Sequence, residues 1–178
     1  INYFALDAPF PIANYPSGKQ WFDIYPNNIN ITEAGPKEMK IVRTQIEISI
    51  KKILNKINYI KNKFKLNLND CFVCGFSQGG MMTFELGNFV NNRFGGLAIL
   101  SGRILNEKKI TNESFLKTPL FISHGDQDEV LLVNYFFKFF EYLKKNKFHF
   151  EHHLIKGDNH TISSKAIIFL QNFIKKNV

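Results

Sequence analysis

The stretch Cys71-Phe72-Val73-Cys74-Gly75-Phe76-Ser77-Gln78-Gly79-Gly80 decides how the rest of the chain is read. Cys71 to Cys74 is a short apolar run with strand character, and from Gly79 to Val90 the pattern becomes helical. A Gly-x-Ser-x-Gly sequence lying directly between a strand and a helix fits a serine carried on a sharp turn. Such a turn has strained backbone angles and close neighbours, so the positions two before and two after it tolerate little side chain. Ser77 is then expected to lift its hydroxyl above the strand end, and the backbone N–H of Gln78, at the helix N-terminus, to face a developing oxyanion. The plain alternative is a structural Gly-Ser turn with no chemistry.

Outward from this turn, short apolar runs alternate with helical patterns. Leu97 to Ser101, Leu120 to His124 and Phe148 to Ile155 read as strands, and Val133 to Lys145 and Ser163 to Lys175 as helices. The alternation predicts an α/β fold: a mostly parallel sheet flanked by helices on both faces. Upstream, Val42, Ile46, Ile50, Ile53, Ile57, Ile60 and Phe64 recur every three or four residues and predict an amphipathic helix of six turns. Before it, from Asp7 to Pro36, lie five of the six prolines with Asn14, Ser17, Gly18, Asn27 and Asn28, which is loop chemistry. That loop also carries Tyr15, Trp21, Phe22 and Tyr25, so it is a candidate binding loop; core packing is the other reading of Trp21. Tyr3 to Leu6 reads as a strand, and a chain beginning there, at Ile1, suggests that further residues precede it.

A serine hydroxyl needs a base within hydrogen-bond reach and a third group to orient that base. His124-Gly125-Asp126-Gln127-Asp128 and Gly157-Asp158-Asn159-His160 each follow an expected strand. Loops after the strands of a parallel sheet gather on one edge, so Ser77, the acidic loop and His160 can converge. His124, ending its strand, reads as a residue that shapes the acidic loop. His149 and His153 share a strand face but stand about 13 Å apart, too far for one ion, and no metal site is expected.

Composition narrows the class further. At 178 residues and 44% hydrophobic, the chain can bury one core, and a single domain over 1–178 is expected. The longest apolar run, Ala166 to Leu170, is far below the roughly 20 residues that cross a bilayer, so stable membrane insertion is not expected. The net charge of +8 comes from 20 Lys and only 3 Arg, scattered along helical patterns, which is a solvated surface rather than a nucleic-acid footprint. Cys71 and Cys74 have C-x-x-C spacing, but residues three apart on a strand point to opposite faces. They are read as buried, inert thiols, consistent with a reducing, cytoplasmic setting.

Gly75-Phe76-Ser77-Gln78-Gly79-Gly80, His124-Gly125-x-x-Asp128-x-Val130 and Gly157-x-x-His160-x-Ile162 together resemble the phospholipase/carboxylesterase family of α/β-hydrolases, which includes bacterial carboxylesterases and acyl-protein thioesterases. Asp7-Ala8-Pro9 and Gly18-x-x-Trp21-Phe22-Asp23 resemble that family's strand and active-site loop. The order Ser, Asp, His is the α/β-hydrolase order. The resemblance implies Ser77 as nucleophile, His160 as base and Asp128 as acid, with Asp126 the alternative acid. It implies Trp21, Phe22 and Phe76 against the substrate, and no cofactor. It also implies an upstream strand whose His-Gly loop supplies a second oxyanion N–H, so the domain is read as incomplete at its N-terminus. The expected activity is cleavage of a carboxylic ester or thioester through an acyl-enzyme. A small ester or acyl substrate is the expected partner, with lipid and acylated protein inside that range. An inactive hydrolase-fold protein and a peptidase or dienelactone-type hydrolase are the alternatives, and oligomeric state is left open.

Overall fold

The isoleucine spacing upstream becomes one long helix, α1, Pro36–Phe64, in a computed structural model that describes residues 2–13, 15–107 and 110–178. Ile1 and Asn14, which entered the reading of the opening segment and the loop, lie outside the described residues. Pro36 opens α1, where its missing N–H costs nothing. Val42, Ile46, Ile50, Ile53 and Ile57 are buried along one stripe, as the spacing predicts. Two compact units result, Ile1–Phe64 and Lys65–Val178.

In the first unit the long loop proves partly ordered. Phe10–Ile12 (β1) and Tyr15–Gln20 (β2) form an antiparallel hairpin, with Pro11 opposite Lys19 and a bulge between Pro11 and Ile12. Sequence reading missed it because Pro11 and Pro16 argue against strands. Both strands of a two-stranded ribbon are edges, though, and an edge tolerates proline. Side chains of α1 hold the segment after β2: Ser49 Oγ donates to the Trp21 carbonyl at 2.6 Å and Gln45 Oε1 accepts from Asp23 N at 2.7 Å. Tyr3 to Leu6, expected as a strand, carries no ladder here. Phe4 instead places its ring 5.7 Å from that of Phe64.

The second unit is the expected alternation: β3 Phe72–Phe76, α2 Gln78–Phe89, β4 Gly96–Leu100, α3 Glu113–Leu116, β5 Leu120–Gly125, α4 Asn134–Lys145, β6 Phe150–Ile155 and α5 Ser164–Asn177. The four strands are parallel in the order β3-β4-β5-β6, so every C-terminal strand end lies on one edge. All five residues of β4 are buried because both faces are covered. Ala98 and Leu100 pack with Phe121, Ile155, Ala166 and Phe173 on the side of α5. Leu97 and Ile99 point the other way, against Gly87 and Gly80 of α2. Burying a phenylalanine such as Phe121 or Phe173 is worth about 1.5–3 kcal/mol, so this aromatic layer is a main source of the unit's stability.

The cysteines depart from expectation. They form no disulfide, but Cys71 is half-buried and Cys74 exposed, so the reading of two buried thiols fails for Cys74. β3 is outermost in the strand order, where cover is thinner. Among the described residues, no helix is long and apolar enough to cross a membrane.

Candidate active site

Ser77 stands between β3 and α2 with φ 53° and ψ −118°, a left-handed conformation that L-residues seldom adopt. The neighbours force it. A Cβ at position 75 would collide with the backbone carbonyl of Gly79, so the turn is tight enough that only glycine fits there. Ser77 N donates to the Leu100 carbonyl at 2.9 Å, which extends the β3–β4 ladder one step past the strand. Ser77 is also the N-cap residue of α2, yet its hydroxyl makes no capping bond. A serine at that position ordinarily accepts from the first helical turn; here its hydroxyl oxygen lies 3.0 Å from His160 Nε2.

Asp128 follows β5 and is 3% exposed. Its Oδ1 accepts from the backbone N–H of Val130 at 3.0 Å and of Leu131 at 2.8 Å, and its Oδ2 lies 2.8 Å from His160 Nδ1. A carboxylate oxygen can only accept, so Nδ1 of His160 carries the proton and Nε2 is left to accept from the Ser77 hydroxyl. Burial pushes the Asp128 carboxyl up. The hydrogen bonds from His160 and the Leu131 N–H, with the electrostatic pull of the His160 and His124 imidazoles, outweigh it, holding the group below the usual carboxylate range. Asp128 is therefore ionised at neutral pH.

Two bonds between loops fix Asp128 against His160. Gln127 N donates to the Asp158 carbonyl at 2.9 Å, and Gly157 N donates to Asp126 Oδ1 at 2.7 Å. Asp128 therefore meets His160, and Asp126 serves the backbone of the loop that carries it. A side chain at Gly125 would collide with the Asp158 carbonyl, which is why that loop can come so close. Downstream, Ser163 Oγ accepts from Ala166 N at 3.3 Å, capping α5 and ending the His160 loop. The ring of Phe76 lies 4.7 Å from the His160 ring.

The structure thus brings Ser77, His160, Asp128 and Phe76 together, with Gln78 as the first residue of α2. Trp21 and Phe22 belong to the first unit, where Trp21 is half-buried and Phe22 fully buried. Sequence reading overlooked the two backbone donors to Asp128. The signal was present: an Asp at a turn start commonly accepts from the N–H groups two and three residues on.

A model of the phospholipase/carboxylesterase family matches residues 1–178. The chain belongs to the phospholipase/carboxylesterase family. Among relatives in that family, it is 29% identical over 183 residues to the probable carboxylesterase SOBER1-like of Arabidopsis thaliana, covering 98% of this chain and 66% of the relative. It is 28% identical over 188 residues to acyl-protein thioesterase 1 of Candida albicans, covering 100% of this chain and 78% of the relative. The chain spans between half and two thirds of the length of the first curated carboxylesterases it matches. The crystal structure of Arabidopsis thaliana SOBER1 superposes with a TM-score of 0.78 at 24% identity, covering 96% of this chain and 81% of that one. Esterase PE8 gives 0.80 at 22%, covering 97% and 76%. At these identities the structural likeness carries the α/β-hydrolase fold.

Proposed function

We propose that this family member hydrolyses carboxylic esters or thioesters through an acyl-enzyme, with Ser77 as nucleophile, His160 as general base and then acid, and Asp128 as the orienting carboxylate. The observation that carries the reading is the unbroken hydrogen-bonded chain from Ser77 Oγ to His160 Nε2 at 3.0 Å and from His160 Nδ1 to Asp128 Oδ2 at 2.8 Å. Ser77 Oγ attacks the carbonyl carbon while its proton passes to His160 Nε2, and Asp128 stabilises the imidazolium so formed. The C–O or C–S bond then breaks, and His160 returns that proton to the departing alkoxide or thiolate. Water next attacks the acyl group on Ser77, giving one proton to His160. Ser77 Oγ leaves, recovers the proton, and a carboxylic acid is released.

The N–H of Gln78, at the start of α2, is assigned to the oxyanion, where the helix dipole adds to the attraction. Phe76, whose ring lies 4.7 Å from that of His160, is assigned to the acyl group. Val130 and Ile162, each two residues beyond a member of the hydrogen-bonded chain, are 65% and 43% exposed and suit an apolar acyl chain. The names of the relatives point to carboxylic esters and to thioesters of acylated proteins, and both belong to the proposed substrate range.

A fluorophosphonate probe, which captures activated serines, is the test. It should label the wild-type chain at Ser77 and leave a Ser77→Ala variant unlabelled, and p-nitrophenyl butyrate hydrolysis should be lost in the same variant. Folded wild-type protein that takes no label would overturn the assignment.

A further inference from the structure

His124 is the second histidine on the acid, and none of the proposed steps uses it. It is the penultimate residue of β5, and its side chain is 1% exposed, as deeply buried as the carboxylate it faces. Its Nε2 lies 2.6 Å from the Leu131 carbonyl and 3.3 Å from Asp128 Oδ2. A carbonyl oxygen only accepts, so the proton of the neutral ring sits on Nε2 and is donated to the Leu131 carbonyl. The Leu131 carbonyl belongs to the turn whose N–H groups, from Val130 and Leu131, hold Asp128 Oδ1. The ring is backed by Phe136 of α4, 6.0 Å away.

We propose that His124 is a positioning residue for the catalytic carboxylate: its Nε2–H clamps the turn that holds Asp128 by donating to the Leu131 carbonyl, and its N–H dipole stands 3.3 Å from the oxygen used by His160. The inference rests on the hydrolase reading of Ser77, His160 and Asp128. Burial keeps the His124 ring neutral by lowering its pKa, against the pull of the Leu131 carbonyl and the Asp128 charge. Asp128 and His160 are the titratable groups facing His124, and His124 and His160 those facing Asp128. The Nε2–H dipole beside Oδ2 draws charge from the oxygen that faces His160. Without it the Asp128 carboxylate holds the His160 imidazolium of the reaction more tightly. The turn also loses its clamp, and Asp128 is held less firmly.

The test uses the full chain as wild type, His124→Leu and His124→Gln, with kcat and KM for p-nitrophenyl butyrate followed across pH. The Leu variant should lose about 10- to 100-fold in kcat with KM little changed, the scale of one hydrogen bond to a buried charge. The acid limb of its pH–rate profile should move to higher pH, which lost stability alone does not cause. His124→Gln, whose amide N–H can reach the same carbonyl beside Asp128, should recover most of both effects. A folded Leu variant with unchanged kcat and an unmoved limb overturns the proposal. Should the Leu variant not fold, ¹H–¹⁵N correlation of the wild-type imidazole decides: an Nε2–H tautomer at neutral pH supports the clamp, and an Nδ1–H tautomer or a charged ring ends it. Absence of fluorophosphonate labelling in the wild type sinks the hydrolase reading instead, and the tautomer result is independent of that outcome.

Discussion

Replacing Ser77 by glycine should make the protein more stable than replacing it by alanine, although both substitutions remove the proposed nucleophile. Ser77 has φ 53° and ψ −118°, the angles of the first central position of a type II′ turn, where glycine is favoured. A Cβ in that region costs about 1–3 kcal/mol. Alanine keeps the Cβ and its strain. Glycine removes both, at the expense of about 0.4–1 kcal/mol from the freer unfolded chain. Each variant loses the same hydrogen bond to His160, so the difference between them isolates the backbone. The balance is roughly 1 kcal/mol in favour of glycine, which for a chain of 178 residues corresponds to about 2–4 °C in unfolding midpoint. Thermal melts followed by far-ultraviolet circular dichroism read this directly. An alanine variant as stable as the glycine variant, or more so, would refute the argument that the turn stores strain at the nucleophile.

Three further outcomes follow from Asp128 and its neighbours. Asp128→Asn can offer an amide N–H to His160 Nδ1 and so impose the wrong tautomer, and kcat should fall about 10³- to 10⁴-fold. Asp126→Asn keeps an oxygen for the Gly157 N–H, whose present bond is 2.7 Å, and should cost less than about tenfold, since only a backbone contact changes; comparable losses on p-nitrophenyl butyrate would undo the choice of Asp128. Because burial lowers the pKa of His124 from its ordinary 6.5, the unfolded chain binds the extra proton. Its contribution is complete above that value and declines as pH falls below it, by at most about 1.4 kcal/mol per pH unit. Urea midpoints should therefore drop more between about pH 7.5 and about pH 5.5 in the wild type than in His124→Gln, and equal drops would rule out a buried neutral histidine.

The parallel strands were legible because burial on both faces leaves a continuous apolar run bounded by turns. Leu120 to His124 became Leu120–Gly125, and Leu97 to Ser101 became Gly96–Leu100. Ser101 drops out of β4 because its φ is 43°, a backbone conformation that residue type alone does not announce. The hairpin at Phe10–Ile12 and Tyr15–Gln20 was hidden by its prolines. The exposure of Cys74 was hidden because strand order, and with it the outermost place of β3, is a non-local property. α3, of four residues, is too short for periodicity to register, though Asn112 signals it by accepting from Phe115 N at 3.1 Å.

For the site, topology explains proximity but not contact. A parallel sheet delivers Ser77, Asp128 and His160 to one edge, and the ladder continues past the strands through Ser77 N to Leu100 O at 2.9 Å and Ser101 N to Ser123 O at 2.8 Å. Strand ends alone leave loops free to diverge by several ångströms, more than a hydrogen bond tolerates. What closes the distance is Gly125, whose missing side chain admits the Asp158 carbonyl, and the cross-loop bond that carbonyl accepts from Gln127 N. The next residue after Gln127 is Asp128, and two after Asp158 is His160, so this bond, with that from Gly157 N to Asp126, sets Asp128 against His160. Family likeness favours Asp128 over Asp126; the physical reason is that Asp126 accepts from the Gly157 N–H at the start of the same loop while Asp128 faces the imidazole. Spacing in the sequence places two carboxylates within reach, and the backbone bonding between loops selects one.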